Sequence, residues 1–340
     1  MQSSGTDREL RGHLLRLRDL GSDRIEELVE RSLELKGGAS PRSLAGKSLG
    51  LLFFRGSLRT RTSFEAAVHQ LEGRVVHLNA TDFWDLEARE GTVMDGRAPE
   101  HIRDAARVLS SYVDALAIRP EVPGQSWEAD RRDEGIRAWA EHAQVPVINT
   151  ESALWHPLQG LADLMTMREA LGNLAGKRLA VVWTRSPTPA SSSIVHSLLV
   201  AAARAGMRVS LAHPAGFGLD DQVLREASDE ASTSGAEIAS QMSAQEAVEG
   251  AHIVYARSWR SIEDYGNPTL AASRRSRTSG WTIDESLMAL GDDARLMHAM
   301  PVRRNLEVTD EVLDGPRSLL YAQAENRLHS QKALLERLLA

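Results

Sequence analysis

The residues best suited to chemistry are arginine and hydroxyl side chains at 57–63, which read S-L-R-T-R-T-S. They stand between an apolar run, 51–54, and a run with helical spacing, so the sequence predicts a strand, a tight turn and a helix. The first turn of a helix presents backbone N–H groups without intrahelical acceptors and the positive end of the helix dipole. With Arg59 and Arg61 beside it, this turn predicts a dianion site, most simply for phosphate. The alternative is a capped helix with two solvated arginines.

Two further places carry candidate chemistry. Arg119 ends a predicted strand, a position from which a charged side chain often points into a ligand crevice. Glu151 and His156 precede a helix whose first residue is Pro157, a favoured first helical residue. The dipole at that helix start favours a neutral imidazole, which can donate a hydrogen bond to a carbonyl oxygen. The alternative for His156 is a helix-capping role.

The elements that must position these residues alternate between strand and helix in two series. Strands are predicted at 51–54, 75–78, 115–118, 145–148, 179–183, 209–212, 253–256 and 296–299. Helices are predicted at 100–112, 130–142, 158–171, 191–205, 220–234, 244–249 and 325–339, with one or two amphipathic helices over 7–36. Two such series predict an α/β fold with two parallel-sheet domains and a crossover near 150–157. We expect the active site in the cleft between the domains, beyond the carboxyl ends of the strands.

Composition excludes several classes of protein. The 340 residues include no cysteine, which removes disulfides, thiolate nucleophiles and cysteine zinc sites and fits a cytoplasmic location. A net charge of −7 without a basic stripe disfavours nucleic-acid binding. No apolar run approaches the length of a membrane helix, and no signal-peptide pattern opens the chain. No H-E-x-x-H or G-x-G-x-x-G motif occurs, so we predict neither a metal nor a nicotinamide cofactor.

Four motifs in order resemble one known family. The run S-x-R-T-R followed by S-F-E, at 57–65, resembles the carbamoyl-phosphate motif of the transcarbamylases, the aspartate and ornithine carbamoyltransferase superfamily. The runs H-P-L-Q-G-L-A-D at 156–163, H-A-M-P-V-R-R-N at 298–305 and A-E-N-R at 324–327 resemble its later motifs. Trp84, G-T-V-M-D-G at 91–96, W-T-x-x-P-x-P at 183–189 and Y-A-R-S-W at 255–259 resemble the N-acetylornithine and N-succinylornithine branch.

The resemblance implies an architecture. Residues 1–155, joined by the helix at 325–340, would bind carbamoyl phosphate, and residues 156–324 would bind the acylornithine acceptor. It also implies a knotted loop in the second domain. The enzyme would be a homotrimer in which Trp84 reaches the site of a neighbouring subunit.

The resemblance also implies site residues, because an amine must attack the carbamoyl carbonyl while fixed donors stabilise the oxyanion. The catalytic residues would be Arg59, Thr60, Arg119 and His156. Carbamoyl phosphate would further contact Ser57, Leu58, Trp84, Gln159, Met300 and Arg327, with Gln159 and the Met300 carbonyl holding the carbamoyl NH2. The acceptor would contact Pro99, Glu151, Arg257 and Arg303.

Pro99 decides the predicted acceptor. In the family that this chain resembles, the acetyl-specific enzymes have a glutamate at this position and the succinyl-specific enzymes have a proline. A glutamate would repel the free carboxylate of a succinyl group, and proline removes that repulsion. We therefore predict transfer to N-succinyl-L-ornithine, giving N-succinyl-L-citrulline and phosphate in arginine biosynthesis. The alternative acceptor is N-acetylornithine.

Some residues depart from the family pattern. Ala299 replaces a cysteine, Arg257 replaces a lysine, and Ser186 and Thr188 replace a histidine and a cation, for which Arg185 is a candidate substitute. These departures keep a second alternative open, a weakly catalytic paralogue that binds an anion.

Overall fold

The computed structural model describes residues 12–79, 84–188, 190–241 and 243–340 and divides them into two compact units. The first unit comprises residues 12–123, 129–158 and 327–340, and the second comprises residues 124–128 and 159–326. The boundaries predicted from the sequence, 155/156 and 324/325, stand three and two residues before the observed ones. Each unit contains its own parallel sheet.

The first unit is built on a four-stranded sheet in the order β2-β1-β5-β6, in which every pairing is parallel. Its strands are β1 (Ser48–Phe53), β2 (Arg74–Asn79), β5 (Ala115–Arg119) and β6 (Val147–Asn149). A separate parallel pair is formed by β3 (Leu86–Glu87) and β4 (Glu100–His101). The helices that begin in this unit are α1 (Ser22–Lys36), α2 (Arg59–Gln70), α3 (Ile102–Ser110), α5 (Glu134–His142) and α6 (Pro157–Leu171). Leu52, Leu116, Ile118 and Trp139 lie in its core.

The second unit is built on a five-stranded parallel sheet in the order β11-β10-β7-β8-β9. Its strands are β7 (Arg178–Trp183), β8 (Arg208–Ala212), β9 (Glu237–Gln241), β10 (Ile253–Arg257) and β11 (Arg295–Met297). The remaining helices of the chain are α4 (Trp127–Asp130), α7 (Ser193–Arg204), α8 (Asp221–Ser234), α9 (Ala244–Val248), α10 (Pro268–Ser276), α11 (Glu285–Met288), α12 (Asp310–Asp314) and α13 (Leu320–Leu339). Helix α7 is buried along almost its whole length, which fits its run of alanine and aliphatic residues.

The predicted fold class is confirmed, and the differences in individual elements have local causes. The helix predicted at 100–112 begins only at Ile102, because Glu100–His101 pairs with β3. The helix predicted at 130–142 is interrupted at Asp133, whose φ of 52° ends any right-handed helix. The last helix begins at Leu320, five residues before the prediction. The sequence analysis also missed β3, β4, β9, α10, α11 and α12.

The amphipathic region near the start of the chain is shorter than predicted. The helical part is α1, preceded by one 3-10 turn at Leu17–Asp19. Leu14 instead forms a parallel bridge with Ile148 beside the first sheet. Residues 7–11 of this prediction lie outside the described residues. Within the described ranges, none of the helices combines the length and apolar character that a membrane span requires.

Helix α13 is fixed to α1 by a buried carboxylate. Glu336, which is 2% exposed, accepts hydrogen bonds from Arg31 Nε at 2.7 Å and from Arg31 Nη2 at 3.1 Å. The backbone N–H of Arg42 donates to the same carboxylate at 2.7 Å. Such a paired guanidinium fork is the strong form of an ion pair, so this contact fastens the end of α13 to the first unit.

Replacing Glu336 with leucine should lower the free energy of unfolding by about 2 kcal/mol, because it removes the buried carboxylate that accepts from Arg31 and from the Arg42 N–H. The measurement is urea unfolding of the wild type and the variant at neutral pH. The matched control is Glu30→Gln on the exposed face of α1, which we expect to be near neutral. Equal stability of Glu336→Leu and wild type would show that the pair does not hold the helix.

Candidate active site

The arginine-rich turn begins helix α2, as its sequence predicts. Arg59 is the first helical residue, and Phe64 and Val68 bury the inner face of the helix. Thr60 is 3% exposed, and its hydroxyl accepts a hydrogen bond from Nη2 of Arg327 on α13. The structure therefore joins two residues that lie 267 positions apart in the chain and were both predicted to bind the phosphate.

Arg61 has a different position from the one the sequence suggested. Its Nη2 donates to Asn79 Oδ1 at 2.7 Å, and its guanidinium carbon lies 5.0 Å from the ring centroid of Phe53. These contacts hold the side chain against the ends of β1 and β2. The second guanidinium beside Thr60 is Arg327, which sequence reasoning found only through the family motif.

Arg119 and Glu151 lie together at the carboxyl edge of the first sheet. Parallel pairing aligns Phe53 with Arg119 and Ile118 with Asn149, so the segments after these strands meet at one edge. Arg119 Nη2 donates to the Glu151 carboxylate, forming an ion pair between two largely buried side chains. The buried Nε–H of Arg119 makes no hydrogen bond to any described residue. This leaves a donor of the guanidinium for a bound group.

The segment 149–156, which carries Glu151 and His156, is held by a buried carboxylate. Asp133 accepts hydrogen bonds from Ser152 Oγ at 2.6 Å and from the Ala153 N–H at 3.0 Å. The Glu151 N–H donates to Asn149 Oδ1 at 3.0 Å, which fixes the start of the segment. Burial raises the pKa of Asp133 to about 6, and the hydrogen bonds oppose that rise. His156 is 2% exposed and directly precedes α6.

Asp133 was missed by the sequence analysis. Asp133 is the last residue of D-R-R-D, just before a helical run, and this pattern gave no sign of a buried carboxylate. The inward direction of the side chain follows from a left-handed φ of 52°, which the sequence does not reveal. The part of the chain that the structure describes holds no group of three histidine or acidic residues suited to a metal ion.

Three predicted residues of the second unit meet at the carboxyl edge of its sheet. Arg257 ends β10, is 5% exposed, and donates from Nη1 to the Met300 carbonyl at 3.3 Å. Arg303 donates from Nε to Ser186 Oγ at 3.2 Å and from Nη2 to Thr188 Oγ1 at 2.6 Å. Arg303 is thus the cation that contacts Ser186 and Thr188, the two residues that differ from the family pattern. The sequence analysis named Arg185 as the candidate substitute for the family's cation.

Gln159 is buried near the start of α6. It is 1% exposed, and its Nε2 donates to Asp163 Oδ1 at 2.8 Å, one helical turn along α6. Because a carboxylate oxygen accepts hydrogen bonds, the end of the amide that faces Asp163 is its NH2 group and the opposite end is its oxygen.

Trp84 and Pro99 lie just before the paired strands β3 and β4 of the first unit. Extending the register of β3 and β4 by one residue sets Pro99 beside Asp85, the residue that follows Trp84. An ion pair between Arg97 Nε and Asp85, at 2.5 Å, links the segments that precede these two strands. Trp84 is 70% exposed and lines one wall of a cavity of about 520 Å³ that also includes Asp130, Asp133 and Trp139.

Comparison with known proteins identifies this arrangement. The family model "Aspartate/ornithine carbamoyltransferase, carbamoyl-P binding domain" matches residues 12–169, and "Aspartate/ornithine carbamoyltransferase, Asp/Orn binding domain" matches residues 176–338. The chain belongs to the aspartate/ornithine carbamoyltransferase family. N-acetylornithine carbamoyltransferase of Xanthomonas campestris pv. campestris is 36% identical to this carbamoyltransferase over 327 residues, covering 95% of this chain and 96% of that protein.

Solved structures agree with the sequence relatives. A crystal structure of acetylornithine transcarbamylase complexed with acetylcitrulline has a TM-score of 0.93 and 36% identity, covering 96% of this chain and 99% of that one. A glutamate-to-proline mutant of N-acetyl-L-ornithine transcarbamylase, complexed with carbamyl phosphate and N-succinyl-L-norvaline, has a TM-score of 0.92, 37% identity and the same coverage. Ornithine carbamoyltransferase of Parafrankia sp. is 39% identical over 333 residues, 96% of each chain. The matches to N-acetylornithine enzymes and the branch motifs place this carbamoyltransferase in the acylornithine branch.

Replacing Asp133 with asparagine should change how stability depends on pH. A carboxyl group whose pKa is raised from about 3.9 to about 6 favours the folded state below the unfolded pKa, and this contribution is lost as pH rises through 6. The free energy of unfolding of wild type minus variant should therefore be larger at pH 5 than at pH 7.5 by about 1.4 kcal/mol. Urea unfolding at both pH values measures it. A difference that is independent of pH would show that Asp133 titrates as an exposed carboxyl group.

Proposed function

We propose that this enzyme transfers the carbamoyl group of carbamoyl phosphate to the side-chain amine of an N-acylated ornithine. The observation that carries the proposal is the buried contact between Arg327 and Thr60 at the first turn of α2, where a phosphate would find fixed donors. The first unit would bind the donor, and the second unit would bind the acceptor.

The chemistry requires stabilisation of a developing oxyanion. The amine nitrogen attacks the carbonyl carbon, the bond from that carbon to the phosphate oxygen breaks, and the amine proton leaves with the phosphate. Arg59, Thr60, Arg119 and His156 would donate to the carbonyl oxygen as it gains charge. The buried Nε–H of Arg119 supports this role, since a buried donor without an acceptor costs about 1–3 kcal/mol that a bound ligand oxygen recovers.

The first turn of α2 would bind the phosphate group. Ser57, Leu58, Arg59 and Thr60 would offer backbone N–H groups and side-chain donors, with Arg327 adding charge. Gln159 and the Met300 carbonyl would accept from the carbamoyl NH2. Glu151, Arg257 and Arg303 would orient the acceptor. The 5% exposure of Arg257 supports a role with an anionic group, because its Nη1 donates to a neutral carbonyl.

The identity of the acyl group rests on two observations that point differently. The relatives and structures named above are N-acetylornithine enzymes, and they favour N-acetylornithine as the acceptor. Pro99 favours N-succinylornithine as a second candidate, because a neutral side chain at this position leaves the succinyl carboxylate unopposed. The related glutamate-to-proline mutant, whose structure holds N-succinyl-L-norvaline, supports the same reasoning. The sequence prediction of a succinyl acceptor therefore stays a prediction.

The assembly and the loop topology complete the proposal. We expect a homotrimer in which Trp84, exposed over 70% of its surface, reaches the site of a second copy of the chain. We also expect the knotted loop of this branch in the second unit. Both follow from the family resemblance.

Replacing Arg59 with alanine should lower kcat at least about 100-fold, the scale of losing one oxyanion donor. A colorimetric ureido assay with carbamoyl phosphate and acylornithine measures it. The matched control is Arg61→Ala, because Arg61 lies nearby but contacts Asn79 and Phe53. Comparable activity in the Arg59 variant and wild type would remove the turn from the mechanism.

Replacing Pro99 with glutamate should shift preference toward N-acetylornithine, by about tenfold in the ratio of kcat/KM for the two acceptors. The assay compares N-acetylornithine, N-succinylornithine and ornithine as acceptors for wild type and variant. Wild-type preference for N-acetylornithine would exclude the succinyl candidate. An unchanged ratio in the variant would show that residue 99 does not face the acyl group.

A further inference from the structure

We propose that Asp163 and Gln323 are positioning residues that set the two acceptors for the carbamoyl NH2, Gln159 and the Met300 carbonyl, in one fixed orientation. The inference rests on the function proposed above and adds residues that no contact with substrate would reveal. It is carried by a continuous set of buried hydrogen bonds in the second unit, the amide network, formed by Gln159, Asp163, Tyr255, His298 and Gln323.

The first part of the amide network is the carboxylate of Asp163, which is wholly buried. Its Oδ1 accepts from Gln159 Nε2 at 2.8 Å and from Gln323 Nε2 at 2.7 Å. Its Oδ2 accepts from the Tyr255 hydroxyl at 3.0 Å. A carboxylate only accepts hydrogen bonds, so both amides must turn their NH2 groups toward it.

Orientation matters because a glutamine amide has two chemically opposite ends. Because Nε2 donates to Asp163, Oε1 is the end of the Gln159 amide that would accept from the carbamoyl NH2. If the amide were rotated by half a turn, an NH2 group would meet the carbamoyl NH2, and neither could accept. Asp163 thus selects the substrate-competent orientation of Gln159.

The second part of the amide network leads to Met300. Gln323 Oε1 accepts from the backbone N–H of His298 at 2.8 Å, while Gln323 Nε2 donates to Asp163. His298 Nδ1 in turn accepts from the Met300 N–H at 2.9 Å. An imidazole that accepts at Nδ1 carries its proton at Nε2, which lies 2.9 Å from Glu307 Oε2.

These bonds hold the backbone of Met300, whose carbonyl also accepts from Arg257 Nη1 at 3.3 Å. Met300 has a φ of 47°, a left-handed conformation that costs energy for a residue other than glycine and persists where the surroundings enforce it. The bond from the Met300 N–H to His298 Nδ1 is one contact that stabilises this conformation. Gln323 therefore connects the side-chain acceptor on α6 with the backbone acceptor in the 298–301 turn.

The test separates recognition of the carbamoyl group from recognition of phosphate. Phosphonoacetamide is a stable donor analogue with the NH2 group, and inorganic phosphate lacks it. Asp163→Leu should weaken binding of phosphonoacetamide about tenfold or more, the scale of losing aligned hydrogen bonds, with phosphate affinity changed less than about twofold. Calorimetry of the purified enzyme measures both, and KM for carbamoyl phosphate should rise in parallel.

Two controls accompany this variant. Asp163→Asn keeps an oxygen for the two amides, and the Tyr255 hydroxyl can turn to accept, so we expect nearly wild-type binding. Gln323→Leu should reproduce the Asp163→Leu phenotype and provides the test if Asp163→Leu does not fold. Its matched control is Gln331→Leu, because Gln331 is buried on the same helix and its amide makes no hydrogen bond to the described residues.

The inference is overturned if Asp163→Leu or Gln323→Leu binds phosphonoacetamide as wild type does. It is equally overturned if both ligands weaken together, because that pattern reports general damage to the fold. A wild-type enzyme that neither binds phosphonoacetamide nor transfers carbamoyl groups would instead refute the proposed function, and the inference with it.

Discussion

Parallel strand pairing is the constraint on which the candidate site residues of each unit depend. In a parallel sheet the carboxyl ends of neighbouring strands lie at one edge, where ligands of open α/β sheets bind. Pairing of Phe53 with Arg119 gathers the arginine turn and the Arg119–Glu151 ion pair at such an edge. Pairing of Arg257 with Trp183 does the same for the 184–188 segment in the second unit. Residues far apart in sequence become neighbours without any long loop having to carry them.

Buried polar groups then give each of the two edges its chemical character. A charge removed from water costs several kcal/mol unless it is paired and hydrogen-bonded. Arg119 meets that requirement with a full negative charge, Glu151, whereas Arg257 meets a carbonyl dipole. The first guanidinium is therefore paired with an opposite charge, whereas the described partner of the second is neutral.

The sequence predicted the fold well because hydrophobic runs and their alternation are local signals. It also predicted the start of α2 and the strand that ends at Arg119. It failed at Asp133, because a left-handed residue between two helices leaves no periodic trace. It assigned Arg61 to the anion site, although the side chain turns to Asn79 and Phe53. The partner of Thr60, Arg327, lies at a separation that only a family motif or a structure could bridge.

The amide network shows a related limit. Asp163 and Gln159 are one turn apart on a helix, so their contact is readable from spacing. The link to Gln323 is not readable, since nothing in the sequence brings α6 near α13. Such buried networks are satisfied only when every donor and acceptor is present, which makes each member matter more than its exposure suggests.

The division of helix α13 between the two units has a consequence for biosynthesis. Arg327–Ala340 completes the first unit, yet residues 159–326 are made before it. At about 5–20 residues per second, the ribosome needs roughly ten to thirty seconds to cover that distance. For that time the nascent first unit lacks Glu336 for Arg31 and Arg327 for Thr60. Its apolar surface stays open to chaperones until the closing helix emerges.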